Sequence, residues 1–238
     1  MSKILERINR VKGNINKACE RADRNPDEVR LVIVTKSATL EEIKKVIHLG
    51  FTELGENRVQ QLKKISAQVE EYLEKEDGQL PQKVNWHMIG HLQRNKVRQV
   101  LQVIHLIHSV DTLRLAEEIN AASPKLNAHP KVLLQVNTSG EPQKYGVPIG
   151  AAIHLAEQIE TLPNLKLVGL MTMAPLTRDK NVIRTCFSRA RELFIEMRGE
   201  KIVGPEFVEL SMGMSSDYEI AVEEGATILR IGSAIFAG

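Results

Sequence analysis

The apolar positions of this chain fall into two alternating patterns. Ile4, Leu5, Ile8, Val11, Ile15, Ala18 and Cys19 recur at helical spacing, which predicts an amphipathic helix over 3–23 closed by the turn signal Asn25-Pro26-Asp27. After it come runs rich in Val, Ile and Leu near 31–35, 51–54, 84–89, 104–109, 131–136, 166–171, 207–210 and 227–231. Segments of helical spacing separate them: Leu40, Ile43, Val46 and Ile47; Val59, Leu62, Ile65, Val69 and Leu73; Leu113, Leu115, Ala116 and Ile119; Ala152, Ile153, Ala156 and Ile159; and Ile183, Phe187, Ala190, Phe194 and Met197. Strands alternating with helices predict a parallel sheet with helices outside it, and runs apolar on both faces suit a sheet covered on both sides. A count of eight favours a closed (β/α)8 TIM barrel with an extra N-terminal helix. A doubly wound open sheet is the alternative if the weak 51–54 run is no strand. Gln68–Pro81 is the most polar stretch and reads as a helix end and surface loop. The last strand closes at Ile231 and the chain ends at Gly238, so the expected organisation is one domain over 1–238.

Barrels of this kind carry their working groups where strands run into the following loops. The first run ends in Thr35-Lys36, the second runs into Gly55-Glu56-Asn57, and the third carries Trp86-His87. The seventh runs into Ser211-Met212-Gly213-Met214-Ser215 and the eighth ends in Arg230-Ile231-Gly232-Ser233. A phosphate needs several donors converging on one point, and glycine turns at helix starts supply backbone N–H groups cheaply. Two such turns stand where barrels bind phosphate, although Ser215 or Ser216 could simply cap a helix. Lys36 then acquires a use. An amine partly desolvated at a barrel mouth is more often the neutral nucleophile that forms a Schiff base. A lysine imine beside a phosphate cradle suits pyridoxal phosphate or a phosphorylated sugar, whereas Lys36 alone would read as a snorkelling surface residue. Arg230, two residues before Gly232, either faces a pyridine nitrogen, which it would keep unprotonated, or pairs with a glutamate inside the barrel.

Composition removes several classes of function. The net charge of +2 and an aromatic content of 4% argue against a nucleic-acid surface or an anionic-membrane partner. Two distant cysteines, Cys19 and Cys186, point to a reduced, cytoplasmic setting. The charged N-terminus lacks a secretory core, and no run approaches the ~20 apolar residues of a membrane span. His87 and His91 have the spacing of helical zinc ligands, but Gly90 between them argues against one helix face, so no metal is expected. Asp111 reads as a helix N-cap, Glu56 as a helix-start carboxylate and Lys144 as a solvated lysine.

TK at 35–36, GENRVQ at 55–60, WHMIGHLQRNK at 86–96, HSVD at 108–111, QVNTSGEPQKYG at 135–146, GLMTM at 169–173, LSMGMSSDYEIA at 210–221 and RIGSAIF at 230–236 together resemble the pyridoxal phosphate homeostasis protein family. That family is similar in fold to the N-terminal barrel of alanine racemases. The resemblance runs from about residue 3 to 236. It implies pyridoxal 5'-phosphate (PLP) held on Lys36 as a Schiff base, with the phosphate on Ser211, Gly213, Ser215, Gly232 and Ser233. It further implies Arg230 at the pyridine nitrogen, and Asn57 and His87 near the cofactor. The chain departs from the family pattern in Ser-Ala-Thr after Lys36, where many relatives have a proline nearby, and in its IFAG ending. Neither departure touches a proposed contact.

Racemisation needs an acid and a base on opposite faces of a carbon. In the related racemases the second is a tyrosine from a further domain, and here only Tyr72, Tyr145 and Tyr218 are on offer. The resemblance therefore implies a non-enzymatic, monomeric PLP carrier in vitamin B6 homeostasis, with apo-enzymes as recipients. A weak racemase, a Schiff-base aldolase and a pure protein-binding regulator are the alternatives.

Overall fold

The computed structural model describes residues 3–75, 80–81, 83–141 and 143–237. The barrel strands are β1 (Arg30–Val34), β2 (Glu53–Glu56), β3 (Asn85–Met88), β4 (Ile104–Val110), β5 (Lys131–Asn137), β7 (Lys166–Met171), β8 (Glu209–Ser211) and β9 (Ile228–Ile231). All pair in parallel in the order β4-β3-β2-β1-β9-β8-β7-β5, and a β4–β5 pairing closes the ring. The fold is thus the expected (β/α)8 barrel, and the 51–54 run does become a strand. A two-residue β6 (Val147–Pro148), unforeseen in the sequence, pairs with the end of β5.

The unbroken apolar runs have a direct cause. Successive side chains of a strand point to opposite faces. Val32 packs in the lumen with Leu106, Leu133, Val168, Met171 and Ile228. Its neighbour Ile33 packs outward into the much larger layer between strands and helices. Both faces are dry, so both must be apolar.

The helical layer comprises α2 (Leu40–His48), α3 (Val59–Lys75), α4 (Val97–Leu101), α5 (Leu113–Ala122), α6 (Ile149–Glu160), α7 (Lys180–Gly199), α8 (Tyr218–Glu223) and α9 (Ser233–Phe236). Local chemistry sets the starts. Thr39 and Glu42 form a reciprocal capping box on α2. The Asp179 carboxylate accepts from the Asn181 and Val182 amides at α7. The start of α5 is capped by Thr112, whose hydroxyl oxygen accepts from the Leu115 amide. Asp111, the expected cap, stands one residue too early. Of the polar stretch 68–81, residues to Lys75 belong to α3, and 76–79 lie outside the described residues.

The extra helix α1 (Lys3–Arg21) buries Ile4, Ile8, Val11, Ile15, Ala18 and Cys19. It lies against α8 and α9. Asn14 Nδ2 donates to the Tyr218 hydroxyl (2.9 Å), Arg7 donates to the Ile235 carbonyl (3.1 Å), and Arg21 pairs with Glu219 and Glu223. The helix therefore braces the two short helices that follow the candidate phosphate turns. Among the described residues, no helix is long and apolar enough to cross a membrane.

Candidate functional site

The mouth of the barrel brings together the ends of β1, β8 and β9. Ile33 is in register with Ile231, and a Cβ on Gly232 would lie 2.9 Å from the Val34 carbonyl oxygen. Lys36, two residues beyond Val34, consequently stands beside the 230–233 turn. The 211–215 turn is stitched to the same place. The Arg230 amide donates to the Gly213 carbonyl (3.0 Å), and the Ala234 amide donates to Ser215 Oγ (3.2 Å). Gly213 has φ +94°, and a Cβ there would sit 2.6 Å from the Ala221 methyl and 2.9 Å from Leu229. Only glycine fits that bend. The two turns are thus adjacent, with Ser215 half-buried and Ser233 exposed. Neither Ser215 nor Ser216 caps α8: Asp217 holds that position, and its carboxylate accepts from the Met214 amide (2.6 Å).

Lys36 is exposed rather than partly desolvated, because the chain turns at Lys36–Ser37 directly after β1. Glu56, the last residue of β2, is fully buried and accepts from the Thr35 hydroxyl (2.5 Å). It is no helix-start group. Burial raises its carboxyl above the ordinary range, against the opposing pull of the Thr35 and Asn57 hydrogen bonds and the Lys36 charge. Asn57 is half-buried at the same rim, where its backbone packs on Gly90.

Arg230 is buried, projecting into the barrel. Nη1 donates to Ser211 Oγ (2.5 Å) and Nη2 to the Thr172 carbonyl (2.9 Å). Desolvation lowers its guanidinium to about 10, only partly countered by the Asp217 charge. Among the described residues no glutamate pairs with it.

Ser211 and His87 stand differently from the expectation. The Ser211 hydroxyl is fully buried in the lumen, accepting from Arg230 and bonded to His108 Nδ1 (2.9 Å), so its side chain is committed away from the turns. His87 is also fully buried. Its Nδ1 meets His108 Nε2 at 2.8 Å and its Nε2 meets Glu53 Oε2 at 2.7 Å, so neither ring nitrogen is left for a ligand. Its partner Glu53 is the first residue of β2, and Gly55, two residues on, is in register with His87. Glu53 and His108 are the lumen side chains that sequence reasoning did not place; Thr172 reaches Arg230 through its backbone carbonyl, while its hydroxyl bonds Thr138 and the Val136 carbonyl. The signal of Glu53 and His108 is a polar residue interrupting an apolar run.

Around the rim, Lys144 is anchored, not solvated: Nζ donates to the Ala174 carbonyl (3.0 Å) and pairs with Glu141. His91 stacks on Tyr145, with ring centroids 4.3 Å apart. Tyr218 lies behind the turns with its hydroxyl on Asn14, remote from the mouth. No group of three metal-ligating side chains occurs among the described residues.

A closed parallel barrel, with a lysine at the end of β1, an arginine on the last strand and two adjacent turns after the final strands, defines the class of alanine-racemase-like barrels. The family model "Alanine racemase, N-terminal domain" matches residues 7–238. The pyridoxal phosphate homeostasis protein of Aquifex aeolicus is 40% identical over 231 residues, covering 97% of this chain and 96% of its own. That of Escherichia coli is 34% identical, covering 99% and 97%. The chain belongs to the pyridoxal phosphate homeostasis protein family. Among solved structures, an unknown protein from Bifidobacterium adolescentis superposes with TM-score 0.91 at 36% identity, covering 98% of this chain and 94% of that one. PipY of Synechococcus elongatus, with PLP bound, superposes with TM-score 0.77 at 30% identity, covering 94% and 99%. An alanine racemase of Clostridium difficile shares the fold, with TM-score 0.70 at 12% identity, covering 99% of this chain and 56% of the racemase.

Proposed function

We propose that this chain binds PLP at the barrel mouth and serves cytoplasmic PLP homeostasis as a monomeric carrier, holding the cofactor and handing it to apo-enzymes. The observation that carries the reading is the convergence of Lys36, the turns at 213–215 and 232–233, and the buried Arg230 at one end of the barrel. The donor set suits the cofactor's chemistry. Backbone amides and the hydroxyls of Ser215 and Ser233 match a phosphate, an amine matches an aldehyde, and a guanidinium that only donates matches an unprotonated ring nitrogen. PLP supplies a reactive aldehyde. The protein's part is to fix the anionic tail and ring while Lys36, exposed at the rim, forms the Schiff base. The names of the relatives and the PLP-bound PipY support the same ligand.

A carrier is favoured over an enzyme because, among the described residues, the tyrosines offer little to serve as a second base facing Lys36. Tyr218 is turned toward α1, and Tyr145, stacked on His91, is the one tyrosine at the rim. The test is the absorption spectrum of purified protein with added PLP, before and after Lys36→Ala. Borohydride reduction followed by peptide mass spectrometry should mark Lys36. A wild-type spectrum without an imine band, or label on another lysine, overturns the site. Deuterium entering the α-carbon of added amino acids would favour a weak racemase instead.

A further inference from the structure

Five side chains run in one unbroken line through the barrel, from Glu53 at the start of β2 to Arg230 near the mouth. Four of them, Glu53, His87, His108 and Ser211, have no place in the proposed ligand contacts. Successive separations are 2.7 Å (Glu53–His87), 2.8 Å (His87–His108), 2.9 Å (His108–Ser211) and 2.5 Å (Ser211–Arg230). We propose that these four residues form a directed hydrogen-bond relay that positions the Arg230 guanidinium for its ligand. They are positioning residues, and this role rests on the proposed function.

The direction follows from donor chemistry. A guanidinium has donors only, so Ser211 Oγ accepts from Arg230, and with an ionised Glu53 accepting from His87 Nε2 at the far end, two neutral rings leave His108 Nδ1 as the acceptor for the Ser211 proton. His108 then carries its proton on Nε2 and donates to His87 Nδ1. His87 carries its proton on Nε2 in turn and donates to Glu53, whose ionised carboxylate only accepts. One arrangement of protons satisfies every link with both rings neutral. Reversing either ring would set two donors or two acceptors face to face.

The surroundings favour that arrangement. His108 is fully buried, and desolvation first, with the nearby Arg230 charge beside it, keeps its pKa well below the ordinary value. Burial would raise the Glu53 carboxyl, but hydrogen bonds from His87 and Asn85 bring it down to about 2. The other groups facing the relay are His105, whose ring is 5.7 Å from that of His87, and the cations Arg30 and Lys131 nearby. With Nη1 held by Ser211 and Nη2 by the Thr172 carbonyl, the guanidinium cannot turn about its axis. A buried polar chain of this length is expensive to desolvate, and fully satisfied networks of this kind fix one geometry.

The first test uses the ligand-free full chain labelled with 15N-histidine. Long-range 1H–15N spectra should show His108 as a single neutral Nε2–H tautomer, with the proton of His87 that faces Glu53 on Nε2. An Nδ1–H form or a cationic ring at His108 overturns the relay. The second test is PLP binding and the absorption spectrum of the bound form in variants. His108→Phe should weaken PLP binding tenfold or more and shift the absorption maximum, and His108→Gln, which keeps donor and acceptor, should restore most of both. Wild-type affinity and spectrum in His108→Phe refute the positioning role. Should His108→Phe not fold, Glu53→Gln serves, since Glu53 is at the partly exposed end and a neutral amide no longer enforces direction. It should bring in a second His87 tautomer, and unchanged rings overturn the proposal. Wild-type protein that fails to bind PLP would sink the proposed function and leave the tautomer result standing by itself.

Discussion

Replacing Arg230 separates a residue kept for a ligand from one kept for the fold. Its fall from the ordinary arginine value to about 10 corresponds to about 3 kcal/mol spent holding a desolvated charge at neutral pH. For a base with a lowered pKa this cost is fully present below about 10 and is relieved as pH rises through and beyond it. Against the cost stand two hydrogen bonds from a charged group, each worth roughly 1.5–3 kcal/mol. Arg230→Met removes both sides, keeps most of the side-chain volume, and should change stability by less than about 3 kcal/mol. Arg230→Ala adds a cavity and should lose a further ~2–5 kcal/mol. PLP affinity should fall by about tenfold to a hundredfold in Arg230→Met, the value of one lost charge-assisted hydrogen bond. Urea unfolding with linear extrapolation gives the first quantity and absorbance titration the second. Above pH 10 the wild type should gain on Arg230→Met. A stability loss beyond about 5 kcal/mol in Arg230→Met, with PLP affinity intact, would make Arg230 a structural residue and refute the reasoning.

Glu53 gives an acid-side counterpart. Its carboxyl is held at about 2, so its stabilisation is present above about 4.5 and is lost as pH falls toward 2. Its full size is at most about 3 kcal/mol, and the stability gap between wild type and Glu53→Gln should close over that window in pH-dependent urea titrations. Gly213→Ala combines a positive φ with clashes against Ala221 and Leu229, so it should lower the melting temperature and weaken PLP binding. Full PLP affinity in that variant would show that the 211–215 turn takes no part. Cys19 and Cys186 are buried, and desolvation raises both thiols. Both should therefore react with thiol reagents only at the rate of unfolding, and fast labelling in native buffer would contradict their placement.

How far these features were legible in the sequence depends on which residues must meet. The strands were legible because a parallel strand buried on two faces gives an unbroken apolar run, as in Leu31–Val34. The second strand was the weakest, and its sequence, Glu-Leu-Gly-Glu, shows why: both glutamates serve buried or lumen positions, so its polarity reflects the site rather than a loop. Turn chemistry was read one residue off at Asp111, since Asp111 and Thr112 are both good caps and only backbone geometry chooses between them. The lumen relay could not be read. His87 and His108 are 21 positions apart, and His108 and Ser211 103 apart. Their meeting is set by strand register and barrel closure, which no local spacing records.

The arrangement of support around the mouth bears on the proposed carrier role. Two anchors of the proposed ligand are held from behind. The α8 and α9 helices after the turns are braced by α1 through Asn14 and Arg7, and Arg230 is braced from the lumen through Ser211 and Thr172. Among the described residues no such brace reaches the third, Lys36: it follows the strand into a turn and is exposed. A rigid cradle for the non-reacting parts of a ligand gives retention and orientation without any covalent bond. On the proposed function, an accessible amine at the rim would let a Schiff base form and be exchanged for another amine without disturbing the cradle. An enzyme of the racemase type needs the reverse emphasis, with the reacting atoms enclosed between two fixed proton-transfer groups and water kept out. Division of the site into a braced anion-and-ring cradle and an exposed lysine is therefore the feature of this chain that most favours reversible holding of the cofactor over chemistry upon it.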